Sequence, residues 1–129
     1  MAKEPVSILI VEDEKTLNEA YQIILRTAGY DVYSAYNGKE ALRVAAEHEP
    51  TLILLDLRMP HMDGIHFLRE YDIKKDHPHV KVIVFTNYDT QKDIDEMYQR
   101  GVDRYIVKAW ASPKELLKVV KDTLAAPKG

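Results

Sequence analysis

Three carboxylates, a hydroxyl and an amine stand where apolar runs of this sequence give way to polar residues. Glu12-Asp13 follows the run 6–11, Asp56 follows 52–55, Thr86 follows 80–85 and Lys108 follows 105–107. A carboxylate at the tip of a buried strand is costly to ionise without a cation beside it. Gathered at one place, three of them raise one another's pKa. A hard divalent cation relieves that repulsion, and magnesium accepts one or two carboxylates together with waters and phosphate oxygens. The chain has no cysteine and no histidine at a strand end, so the donor set does not suit zinc. Magnesium beside an aspartate, a threonine hydroxyl and a lysine is a layout for phosphoryl transfer. Metal and ammonium neutralise phosphoryl oxygens while the hydroxyl donates a hydrogen bond. Asp56 is the expected nucleophile, by way of an aspartyl phosphate. Asp13 is the expected direct metal ligand and Glu12 acts directly or through water. Asp56 itself and the backbone carbonyl of Arg58 complete the candidate set.

The elements that must position these groups are legible from periodicity. Apolar runs at 6–11, 31–35, 52–55, 80–85 and 105–107 alternate with five segments of helical period. Most of the runs are too continuous for half-exposed antiparallel strands. The run 31–35 is more polar and is expected at a sheet edge. The first helix carries Leu17, Ala20, Tyr21, Ile24 and Leu25 on one face and stops at Gly29. Asn37-Gly38-Lys39-Glu40 has capping-box chemistry and opens a second helix that buries Ala41, Leu42 and Ala45. A third follows the cap Asp63 through Ile65, Leu68 and Tyr71. A fourth opens at Thr90 with Asp93 three residues on, and ends at Gly101. Ser112-Pro113-Lys114-Glu115 combines a cap, a first-turn proline and an acid at the third helical position. Strict alternation with short loops implies right-handed crossovers and a parallel sheet covered on both faces. All C-terminal strand ends then share one edge, where open α/β sheets bind ligands.

With 129 residues the chain suits one domain, expected over 1–125, with 126–129 a frayed tail or linker stub. A net charge of -3 disfavours non-specific binding to nucleic acid or an anionic membrane. Without cysteine there is no disulfide framework and no thiol nucleophile. The apolar stretch near the start is too short for a signal or membrane segment, so a cytoplasmic location is expected.

The motifs Ile8-Leu9-Ile10-Val11-Glu12-Asp13-Glu14, Leu55-Asp56-Leu57-Arg58-Met59-Pro60 with Met62-Asp63-Gly64, Val84-Phe85-Thr86, and the stretch from Gly101 to Lys108 occur in that order. Together they resemble the receiver domain of two-component response regulators, and across almost the whole chain the single-domain chemotaxis type. The resemblance implies a flavodoxin-like (βα)5 doubly wound fold, with five parallel strands in the order 2-1-3-4-5 and helices on both faces. It implies Asp56 as phosphoacceptor from a histidine kinase or histidine phosphotransfer protein, with Glu12 and Asp13 as the acidic magnesium pair. Lys108 becomes the phosphoryl-binding lysine, Thr86 the switch hydroxyl and Tyr105 the aromatic that turns inward with it. The fourth helix, fifth strand and fifth helix form the family's output surface, expected to display Gln91, Asp95, Tyr98, Val102, Tyr105, Trp110 and Lys118 to an output protein or domain. Such a domain catalyses only its own phosphorylation and dephosphorylation, and is a monomer or a phosphorylation-dependent dimer.

Five residues depart from the family's pattern. Ala109 stands where a proline usually follows the lysine across a cis peptide. A cis bond to a non-proline residue costs about 2.5–4 kcal/mol, so a trans peptide or a strained loop is expected. Asn87 replaces a small residue beside the phosphate. Arg58 and Tyr88 are large at two variable positions flanking the attacking water, and are expected to screen water and lengthen the phosphoryl lifetime. Arg104 replaces an acid frequent in receivers that dimerise to bind DNA.

Blander roles compete at several positions. A lone acid at a strand end is ordinarily a cap or a turn residue, and Asp63 is read that way. His48, His61, His66, His77 and His79 are expected at the surface, and Tyr21, Tyr30, Tyr33 and Tyr71 in packing. Partly buried packing is favoured for Tyr98 and Trp110, and a solvated face for Lys114, Lys118 and Lys121. An aspartyl phosphatase would carry a second aspartate at position 58, and a flavin carrier would replace Glu12-Asp13-Glu14 with a Gly/Ser/Thr-rich loop. The alternatives within the family are a receiver excised from a larger DNA-binding regulator or hybrid kinase, and a degenerate receiver that binds partners without phosphate.

Overall fold

The computed structural model describes residues 6–59, 62–87 and 90–127, and of Trp110 the backbone alone. Its strands are β1 (Ser7–Val11), β2 (Asp31–Ala35), β3 (Leu52–Leu55), β4 (Lys81–Thr86) and β5 (Arg104–Val107). They form one parallel sheet in the order β2-β1-β3-β4-β5, which is the topology expected from the sequence and puts the more polar β2 at an edge. The register aligns the strand ends: Val11 sits between Ala35 and Leu55, Leu55 pairs with Val84, and Thr86 pairs with Val107.

Four helices make the crossovers, α1 (Lys15–Thr27), α2 (Gly38–His48), α3 (Gly64–Glu70) and α4 (Gln91–Gln99), and a fifth, α5 (Pro113–Ala125), follows the last strand. A helical turn at Ile73–Asp76, unexpected from the sequence, leads into β4, and a 3-10 turn at Lys108–Trp110 follows β5. Alternate residues of a strand face opposite sides of the sheet, so each strand feeds two cores. Leu9, Val11, Ile53, Leu55, Val82 and Val84 pack with Ala41 and Val44 of α2, Phe67 and Leu68 of α3 and Met97 of α4. Ile8, Ile10, Leu52, Leu54, Ile83 and Phe85 pack with Leu25 of α1 and Leu116 and Val120 of α5. No helix among the described residues is long and apolar enough to cross a membrane.

The helix starts are those the capping residues predict. Asn37 accepts from the Glu40 N–H at 2.8 Å, Asp63 from His66 at 2.9 Å, Thr90 from Asp93 at 3.2 Å and Ser112 from Glu115 at 3.2 Å. Gly101, with φ +100, ends α4 in the left-handed region that glycine enters without steric cost.

Some side chains lie elsewhere than their types suggest. On α1 the fully buried positions include Asn18 as well as Leu25, while Ile23 is 66% exposed. Asn18 is stable inside because its amide nitrogen donates to the carbonyls of Glu12 (2.9 Å) and Ala35 (3.1 Å), and its own oxygen accepts from Gln22 at 2.8 Å. Val102, expected on the output surface, is 5% exposed and belongs to the core beneath α4, because the turn at Gly101 points it inward. Tyr98 is more open than partly buried packing implies, at 47% exposure. Lys81 donates its ammonium to the carbonyl of Ala126, so the end of α5 is fastened to the start of β4. Residues 128 and 129 of the expected tail lie outside the described residues.

Candidate functional site

Ladder hydrogen bonds carry the acidic residues just past their strands. The Glu12 N–H donates to Ala35 at 3.1 Å, and the Asp56 N–H to Val11 at 3.0 Å. The two therefore sit side by side at the C-terminal edge. A crevice of about 430 Å³ opens there, lined by Glu12, Asp13, Glu14, Asp56, Arg58, Thr86, Asn87 and Lys108. Every reactive group anticipated at a strand end is among them.

Glu12 and Asp56 are buried, at 3% and 5% exposure. Lys108 reaches between them from the far side of the sheet, its Nζ 2.5 Å from Glu12 Oε2 and 3.0 Å from Asp56 Oδ2. Asp56 Oδ1 accepts the Arg58 N–H at 3.0 Å, and Glu12 Oε1 accepts the Glu14 N–H at 3.3 Å. One ammonium cannot fully offset two buried carboxylates. Burial pushes Glu12 up to about 7, against the Lys108 hydrogen bond and with help from the Asp56 charge. Burial alone would lower Lys108, but its bonds to Glu12 and Asp56 outweigh that and hold it above the usual lysine value, so it stays cationic.

The donor chemistry fits a hard cation. Carboxylate oxygens of Glu12, Asp13 and Asp56 all lie within 4.8 Å of one another, an all-oxygen set of the kind magnesium uses. Thr86 supplies a hydrogen-bond donor suited to an anionic group. It is buried, and its hydroxyl has no hydrogen-bond partner among the described residues, an arrangement that costs about 1–3 kcal/mol. An oxygen-rich group beside Asp56 would satisfy it.

Around this centre the remaining anticipated residues take different places. Asn87 is exposed at the crevice mouth. Ala109 is exposed within the 3-10 turn; the described residues contain no cis peptide, so the Lys108–Ala109 bond is trans, as expected without proline. Tyr105 stands outside the crevice, half-buried against the core under α2, α3 and α4. Tyr88 lies outside the described residues, as does His61. Gln91, Asp95, Tyr98 and Lys118 are exposed on α4 and α5.

Two contributions went unnoticed in the sequence. Asn18 fixes the carbonyl of Glu12 and so the loop that carries the acidic pair; a polar residue amid the apolar face of α1 was its signal. Gly64 lets α3 begin hard against the Asp56 loop, since a Cβ there would fall 2.6 Å from the Asp56 carbonyl oxygen and the Leu57 Cα. The Arg58 side chain also acts unexpectedly, with Nη2 3.3 Å from Asp93 Oδ2 at the start of α4. One turn on, Glu96 takes a forked bond from Arg69 of α3 (2.8 and 2.9 Å) and a third from Arg100 at 2.8 Å. These pairs line or border a wider groove of about 640 Å³ between α3 and α4, which also holds Leu57, Asp63, Ile65, His66 and Glu70. Its charged walls pair with each other, and it offers no nucleophile comparable to Asp56.

Known proteins share this fold. The model of the response regulator receiver domain family matches residues 8–121. A CheY-like response regulator receiver domain protein from Methanospirillum hungatei is 29% identical over 94% of each chain, with a TM-score of 0.87. The signal receiver domain of a signal transduction histidine kinase from Syntrophus aciditrophicus is 33% identical, covering 93% of this chain and 90% of that one, with a TM-score of 0.81. A DNA-binding response regulator of the LuxR family from Staphylococcus aureus is 29% identical, covering 92% and 98%, with a TM-score of 0.81. The match runs from β1 into α5 and takes in the whole crevice from Glu12 to Lys108, so the chain belongs to the response regulator receiver domain family of two-component signalling.

Proposed function

We propose that the domain is a phosphorylation switch that accepts a phosphoryl group on Asp56 from a histidine kinase or histidine phosphotransfer protein. The observation that carries this reading is the buried hydroxyl of Thr86, which has no hydrogen-bond partner among the described residues and shares a crevice with Asp56 and Lys108. A carboxylate oxygen of Asp56 attacks phosphorus, the phosphorus–nitrogen bond of the donor phosphohistidine breaks, and the released imidazole takes up a proton. Lys108 moves from Glu12 and Asp56 onto the phosphoryl oxygens, and the Thr86 hydroxyl donates to another. Glu12, Asp13 and Asp56, with the Arg58 carbonyl, would hold magnesium. When bound, it supplies positive charge against the carboxylates and the equatorial phosphoryl oxygens. Water attack on the same phosphorus later returns Asp56 and inorganic phosphate, so in this reading the domain acts catalytically on itself alone.

The output is a change in binding. Movement of Thr86 toward the phosphoryl group opens space that Tyr105 turns into, which alters the surface of α4, β5 and α5 and biases a two-state equilibrium. Exposed Gln91, Asp95, Tyr98 and Lys118 form the partner-facing part of that surface. The likeness to receivers of a histidine kinase and of a DNA-binding regulator supports a second reading, in which the same switch serves inside a larger regulator. The test is incubation with acetyl phosphate followed by intact-mass measurement. The native protein gains one phosphoryl group only with magnesium present, and Asp56→Asn gains none. An unlabelled native protein would remove the proposal, and labelling that survives in the variant would move the acceptor elsewhere.

A further inference from the structure

Arg58 belongs to two places at once. Its backbone N–H is fixed to Asp56 Oδ1 at 3.0 Å, and the residue lines the Asp56 crevice. Its guanidinium turns the other way, along the groove between α3 and α4, and pairs with Asp93 at 3.3 Å. The pair is a weak one, because the Arg58 side chain is about half exposed and that of Asp93 over a quarter. Asp93 does not need it: the backbone N–H of Asp93 is already capped by Thr90 at 3.2 Å, and a carboxylate in the first turn of a helix is favoured there anyway. A phosphoryl group two residues from Arg58 presents more negative charge than Asp93 and several acceptor oxygens. A guanidinium fork prefers such a target, through two parallel bonds.

Resting on the phosphoryl-switch reading above, we propose that Arg58 is a phosphoryl-binding cation held in reserve by Asp93. On phosphorylation it exchanges Asp93 for the phosphoryl oxygens of Asp56, which frees the first turn of α4 from the Asp56 loop. The second tie, from Arg69 and Arg100 to Glu96, contains no group that reaches the crevice and stays closed. The exchange therefore loosens only the N-terminal end of α4, next to exposed Gln91 and Asp95 of the output surface.

The test is beryllofluoride affinity with magnesium present, read by fluorine NMR on the full chain, across native protein, Asp93→Asn, Arg58→Ala and the double variant. Removing the competitor from Arg58 tightens binding by about two- to fivefold, the span set by an exposed ion pair. Arg58→Ala weakens binding, and adding Asp93→Asn to it changes nothing further. Asp93→Ser serves as a second variant lacking the carboxylate, with the same expected gain. An unchanged or weakened affinity in both Asp93 variants overturns the exchange, as does an equal gain in the Arg58→Ala background. A native protein that binds no beryllofluoride and takes no phosphoryl group removes the underlying switch reading instead.

Discussion

Thr86 shows how much can hang on a single atom. Its hydroxyl is buried without a partner among the described residues, which is a standing cost in the resting protein. Replacing Thr86 with Val keeps the shape and removes that atom. Urea unfolding of Thr86→Val is expected to give a stability equal to native or higher by up to about 1–3 kcal/mol, while its beryllofluoride affinity falls. A clear loss of stability with unchanged affinity would show the hydroxyl to be structural. Asp56, Thr86 and Lys108 were legible in sequence because each stands where an apolar run ends, and a parallel sheet brings such ends together. The Asp93 partner of Arg58 was not legible, since the pair joins residues 35 apart across two loops, and neither is unusual in its own neighbourhood.

Helices α1 and α4 hold the crevice from opposite sides by different means. On α1, Asn18 answers two carbonyls at the ends of β1 and β2. Asn18→Ala leaves those carbonyls and the Gln22 amide without it. The expected loss is about 1–3 kcal/mol in urea, with weaker magnesium binding by calorimetry because the Glu12 loop is no longer fixed. On α4, the Arg69 and Arg100 hydrogen bonds hold Glu96 down at about 2. A carboxylate lowered in the folded state adds stability above its unfolded pKa and surrenders it as acid protonates the native pair. Native protein is therefore expected to lose stability faster than Glu96→Gln as pH falls from about 4.3 toward 2, measured by thermal melts at each pH. Parallel profiles would mean that solvent screening cancels the clamp. The helix starts were readable because caps are local chemistry: Asn37, Asp63, Thr90 and Ser112 each bond within three residues. The burial of Asn18 and of Val102 was not, because one depends on carbonyls delivered by two strands and the other on how the Gly101 turn aims the chain.

At the scale of the whole molecule, the sheet separates two cores that share no side chain. Val82 and Val84 face one and Ile83 and Phe85 the other, so alternation along β4 puts Thr86 on the side of α2, α3 and α4. Tyr105 packs on that side as well. The sheet thus works as a firebreak. Displacements that begin at Thr86 spread through the layer containing α4 and reach α5 by way of β5, whose Tyr105 and Ile106 face one core each, while α1 is screened by close-packed strands. The α1 flank can then diverge freely in its surface, acquiring the docking features of a particular phosphodonor, without retuning the side that reports the signal. Two separately adjustable sides are what a lineage of such domains needs if upstream and downstream partners are to change one at a time.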